Sequence, residues 1–139
     1  MKEKITGYTQ GAFDMFHVGH LNLLKRAREK CDELIVGVNT DELVKEYKGK
    51  KTVIPLDERM AIVDAIKCVD RVVPADTLDK EEMYRRIGFD QIYIGSDWKG
   101  SKRWNETERC MAKYGVEVVY IQHTDGISSS IIRDKLLED

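Results

Sequence analysis

The sequence predicts an α/β fold in which five parallel strands form one sheet with helices on both faces. Three observations carry this. Apolar runs of strand length that do not alternate with polar residues, such as Glu33 to Asn39, suit strands buried on both faces. Segments with apolar residues at helical spacing stand between those runs. Strands that alternate with helices form right-handed βαβ units, and hence a parallel sheet. The 139 residues suffice for a single domain, residues 1–139, with one core.

The first strand spans Ile5 to Thr9 and passes through a Gly-marked turn into a helix that begins near His20 and ends near Cys31. Glu33 to Asn39 is the second strand. Thr40 to Pro55 shows no period, and its basic stretch Tyr47-Lys48-Gly49-Lys50-Lys51 reads either as a solvated loop or as a mobile basic lid over a phosphate. Leu56 to Cys68 has apolar residues at helical spacing and includes Arg59 and Lys67. Arg71 to Pro74 is a short strand. Asp79 caps a helix through Ile87 that Gly88 stops, and Gln91 to Gly95 is the fourth strand. A helix over Arg103 to Tyr114 ends at Gly115, and Val116 to Ile121 is the last strand. A terminal helix starts near Ile127.

Composition narrows the function. With 42% hydrophobic and 35% charged residues, 10 Gly and 2 Pro, the chain reads as globular, without a low-complexity tract. Lys+Arg of 23 against Asp+Glu of 25 gives a net charge of -2, which argues against a dedicated nucleic-acid binder. Cys31, Cys68 and Cys110 show no C-x-x-C spacing and fit reduced thiols. No apolar signal region or membrane-length run is present. A cytoplasmic protein with no membrane partner is therefore expected.

The chemistry concentrates in Gly11-Ala12-Phe13-Asp14-Met15-Phe16-His17-Val18-Gly19-His20. A helix that begins here offers unpaired N–H groups and the positive end of its dipole to an anion. Residues three apart share a helix face, so His17 and His20 would both look at that anion. Gly19 lets a ligand approach the backbone. The pair could also be surface histidines or metal ligands, but the chain holds one other His and no Cys at suitable spacing. Ser96-Asp97-Trp98 follows the fourth strand and could bind a flat base or close a loop. Ser128-Ser129-Ser130 with Arg133 could cap the terminal helix or cradle a second phosphate. All three segments follow strands, on the rim where open α/β sheets bind ligands.

These residues resemble the small bacterial cytidylyltransferases of the His-x-Gly-His nucleotidyltransferase superfamily, the glycerol-3-phosphate cytidylyltransferases most nearly. The resemblance runs through Gly11 to His20, Asp57-Glu58-Arg59, Val69 to Pro74, Gly95-Ser96-Asp97-Trp98 and Thr124 to Ser129. It implies a Rossmann-like three-layer sandwich and transfer of CMP from CTP to a small phospho-alcohol, with pyrophosphate leaving. It makes His17, His20 and Lys48 catalytic. It assigns the nucleotide to Gly11, Ala12, Phe13, His17, Gly19, His20, Gly95, Asp97, Trp98, His123, Thr124, Gly126, Ile127, Ser128, Ser129 and Arg133. Asp14, Lys48, Lys50, Arg59 and Lys67 would meet the acceptor. Mg2+ would travel with the triphosphate rather than in a protein metal site, and the enzyme would be a homodimer. Departures at Ala12, Lys67, Leu78 and His123, where the family carries Thr, Arg, Trp and Arg, bear on the acceptor more than on the reaction. An adenylyltransferase, another CTP-dependent acceptor such as phosphocholine or phosphoethanolamine, and a non-catalytic nucleotide-binding module are the alternatives.

Overall fold

The computed structural model describes residues 4–122. Five strands, β1 (Thr6–Gly11), β2 (Glu33–Asn39), β3 (Arg71–Ala75), β4 (Gln91–Gly95) and β5 (Glu117–Ile121), form one sheet in the order β3-β2-β1-β4-β5. Every pairing is parallel, with Thr6 opposite Glu33, Ile35 opposite Arg71, Gly7 opposite Gln91 and Gln91 opposite Glu117. The α/β three-layer fold is therefore as the alternation of patterns predicts. β3 is an edge strand and tolerates Pro74, which has no N–H to donate.

Helices α1 (Val18–Arg28), α2 (Asp41–Lys48), α3 (Leu56–Asp64), α4 (Lys80–Ile87) and α5 (Lys102–Ala112) connect the strands. One face of the sheet packs Leu34, Val36 and Val38 against Leu24 and Ala27 of α1 and Val63 of α3. The other packs Tyr8, Ile35 and Ile92 against Met83 of α4 and Trp104 and Met111 of α5. Glycine makes the second face possible beside Tyr8, because a Cβ at Gly37 would sit 2.1 Å from the Tyr8 hydroxyl. The buried tyrosine instead donates to Gln10 Oε1 at 2.7 Å, at the carboxyl end of β1.

Two local expectations change. The segment after Thr40 is not all loop, because Thr40 Oγ1 accepts from Leu43 N and starts α2, and Gly49 at φ 70 ends it. Its acidic first turn and basic last turn suit the helix dipole, and its two buried residues, Leu43 and Val44, are too few to show a period. α3 stops at Asp64, so Lys67 falls in the exposed turn beyond it instead of on the helix.

The winding reverses between β1 and β4, since α1 and α3 cover one face and α4 and α5 the other. Crevices at the carboxyl ends of the strands at such a reversal are the binding sites of this architecture.

Candidate active site

The loop from β1 to α1 is bent by two non-glycine residues in the left-handed region, Phe13 at φ 51 and Met15 at φ 50. Each costs on the order of 1 kcal/mol. Burial of the Phe13 ring, edge-on to His20 at 5.5 Å between centroids, works against that cost. The bend delivers His17 to the N-cap of α1 in extended conformation.

The two histidines then cap the helix. His17 Nδ1 accepts from Gly19 N at 3.0 Å, and His20 Nδ1 accepts from His17 N at 3.2 Å. The rings stack at 3.9 Å between centroids. With Nδ1 accepting, a neutral imidazole carries its proton on Nε2, so both rings present an Nε2–H donor. Burial lowers the pKa of His17 below the ordinary histidine value. Burial, with the charges of His17 and Lys48, pushes His20 down to about 4 against a smaller opposite pull from Asp14. Two neutral donors therefore stand side by side at the positive end of a helix.

A cleft of about 430 Å³ opens at the strand ends. Gln10 and Gly11 come to it from β1 and Ala12 from just beyond, Asn39 from β2, and Tyr47 and Lys48 from the last turn of α2. Gln10 Nε2 donates to Asn39 Oδ1 at 2.9 Å and to Thr77 O at 2.8 Å, while Asn39 Nδ2 donates to Tyr47 Oη at 3.0 Å. This network fixes the floor below Lys48, whose ammonium lies 5.7 Å from the Tyr47 ring centre. Trp98, 45% exposed, lines the cleft from the turn after β4. Gly95 is buried beneath that turn, and Asp97 stands exposed in it.

The acceptor residues inferred from the resemblance fare differently. Arg59 is fully buried and does not face the cleft as an anion receptor. Its guanidinium donates to Ala12 O at 2.7 Å, Asn39 O and Ile54 O at 2.8 Å, and Asp41 Oδ1 at 2.6 Å. Those bonds join the ends of β1 and β2 to the start of α2 and the approach to α3. Burial works against the Asp41 charge, but hydrogen bonds from Thr52, Arg59 and Leu56 N outweigh it and hold its carboxyl below the usual value. Asp14 is also buried and accepts from Val53 N at 2.8 Å and Ile54 N at 2.9 Å, tying the histidine loop to the basic segment. Lys50 is exposed just beyond α2, and Lys67 is exposed behind α3; neither lines the cleft. His123, Thr124, Gly126, Ile127, Ser128, Ser129 and Arg133 lie outside the described residues.

The cleft also contains residues that sequence patterns did not single out, chiefly Lys80, Arg103 and Trp104. Lys80 is 7% exposed, donates to Leu78 O at 2.9 Å and lies 5.5 Å from the Trp104 ring centre. Burial, with the neighbouring Arg103 charge, pushes its ammonium down to about 8, opposed in part by Asp79. A signal was present: Lys80 and Arg103 occupy the first turns of α4 and α5, where the dipole disfavours cations.

Residues 8–135 match the cytidylyltransferase-like family. The chain belongs to that family. As a cytidylyltransferase-like protein it is an enzyme of the nucleotidyltransferase class, and relatives share most of its length. It is 36% identical over 129 residues to glycerol-3-phosphate cytidylyltransferase from Staphylococcus aureus (strain NCTC 8325 / PS 47), covering 92% of each chain. It is 37% identical over 126 residues to the protein of the same name from Bacillus spizizenii (strain ATCC 23059 / NRRL B-14472 / W23), covering 90% of this chain and 92% of that one. The Bifunctional protein HldE of Yersinia enterocolitica is 38% identical over 125 residues, which are 89% of this chain but 26% of that longer protein. Among solved structures, the lipopolysaccharide core biosynthesis protein from Thermoplasma volcanium GSS1 superposes with a TM-score of 0.73 at 27% identity, covering 88% of this chain and 98% of that one. Among the described residues no helix is long and apolar enough to cross a membrane.

Proposed function

We propose that this cytidylyltransferase-like enzyme transfers CMP from CTP to a small phospho-alcohol, with glycerol 3-phosphate as the first candidate acceptor. The observation that carries the reading is the histidine capping box beside Lys48, which offers two neutral Nε2–H donors and a cation at a helix N-terminus. A phosphate oxygen of the acceptor attacks the α-phosphorus, the bond from that phosphorus to the β-phosphate oxygen breaks, and pyrophosphate leaves. Negative charge grows on the transferred group and on the leaving oxygen, and preorganised donors stabilise it there. His17, His20 and Lys48 take that role, and Lys50 approaches from the segment that follows α2.

Trp98 and Asp97 are assigned to the base, and Gly11, Ala12 and Gly19 to the close approach of phosphate to backbone. His123, Thr124, Gly126, Ile127, Ser128, Ser129 and Arg133 keep their assignment to the nucleotide on the strength of their sequence. Mg2+ is assigned to the triphosphate on the strength of the resemblance. When bound, it screens triphosphate charge. We also propose a homodimer.

A panel of nucleoside triphosphates against phospho-alcohols, followed by pyrophosphate release, tests the reading. The expected result is release that requires both CTP and a phospho-alcohol. Release with ATP in place of CTP, or none with any pair, would contradict it.

A further inference from the structure

The α4 and α5 side of the cleft holds two cations that the transfer chemistry leaves without a task. Lys80 opens α4 and Arg103 stands in the first turn of α5, and both line the cleft together with Lys48. Neither forms an ion pair among the described residues. Among the described residues no Asp or Glu lines the cleft. The Lys80 ammonium is buried, with one carbonyl to donate to and the Trp104 ring beside it. A cation kept in such a place, against burial and against a helix dipole, favours an incoming anion.

The cleft receives its cations from two sides: Lys48 from the last turn of α2, and Lys80 and Arg103 from the first turns of α4 and α5. Lys48 is proposed to act with the histidines at the head of α1, so the attacking phosphate belongs on its side. Lys80 and Arg103 open helices that pack on the sheet face opposite α1 and α3.

We infer that Lys80 and Arg103 form a second anion subsite, which receives a carboxylate on the acceptor at the end remote from its attacking phosphate. This rests on the transfer reading above and refines its acceptor from a phosphorylated neutral alcohol to a phosphorylated hydroxy acid. A guanidinium fork suits a carboxylate through paired N–H bonds. The carboxylate is a spectator: the same phosphorus–oxygen bond forms, the same one breaks, and pyrophosphate still leaves.

A matched pair of acceptors separates the two readings, because 3-phosphoglycerate differs from glycerol 3-phosphate by a carboxylate in place of a hydroxymethyl group. Calorimetry with a non-hydrolysable CTP analogue present should show 3-phosphoglycerate bound at least ~10-fold more tightly by the wild-type enzyme. Lys80→Met and Arg103→Gln should each shrink that preference. Arg103 is exposed, so its variant keeps the test informative where burial of Lys80 makes the other fold poorly. Equal affinity for the two acceptors, binding of neither, or variants that lose the CTP analogue rather than 3-phosphoglycerate would overturn the subsite. Preferential binding of 3-phosphoglycerate without pyrophosphate release would support the subsite and overturn the transfer reading.

Discussion

His17 and His20 cap α1 through Nδ1, which leaves each Nε2 for the proposed contact with substrate. Each Nδ1 takes a backbone N–H that the start of α1 would otherwise leave unpaired, and this fixes the proton on Nε2. The same arrangement makes stability depend on pH. An unfolded histidine titrates near 6.5, while His20 in the fold is pushed down to about 4. Between those values the unfolded chain binds a proton that the native chain refuses, so stability is full above about pH 6.5 and falls as pH drops toward 4. The loss by pH 4 is on the order of 3 kcal/mol. Urea denaturation at pH 7 and pH 5 checks this: His20→Asn keeps an acceptor for His17 N and should lose less stability over that interval than the wild type. Equal losses would contradict it.

At the scale of elements, Arg59 and Asp14 tie together the segments that carry the proposed catalytic residues. Arg59 bonds the ends of β1 and β2 to α2, and Asp14 bonds the histidine loop to Val53 and Ile54. Arg59→Ala would leave Ala12 O, Asn39 O and Ile54 O short of a buried donor and Asp41 short of its cation. A cost of about 3–5 kcal/mol is expected, measured by urea denaturation at pH 7. A loss under about 1 kcal/mol would contradict the hub. The strands and most helices were legible because burial on both faces and helical spacing leave direct marks on sequence. α2 was not, since eight residues with two buried apolar positions give too little pattern. The burial of Arg59 was not either: a basic residue among family motifs suggests an anion, and three of its four partners, Ala12, Asn39 and Asp41, lie 18 or more residues away. The contact of Lys80 with Trp104 was hidden for the same reason, as the two lie 24 residues apart and meet only through the packing of α4 on α5.

The proposed chemistry gathers at the carboxyl ends of the strands by the reversal of sheet winding, with Lys48 on one side of the cleft and Lys80 and Arg103 on the other. Val18, next to His17, and Val53, next to the Asp14 anchor, are 50% and 58% exposed, and a two-fold pairing near the motif would cover them. Light scattering at micromolar concentration should give twice the chain mass, and a monomer would contradict the proposed dimer. The central claim is that the stacked neutral histidines, besides capping α1, act on the transferred phosphoryl group. Its most direct test is single-turnover CMP transfer from CTP by His17→Ala and His20→Ala, with circular dichroism and CTP affinity measured on the same samples. Each variant should remain folded and bind CTP, yet transfer at least ~100-fold more slowly, as after loss of a preorganised oxyanion donor. Near-normal transfer by both folded variants would contradict the account.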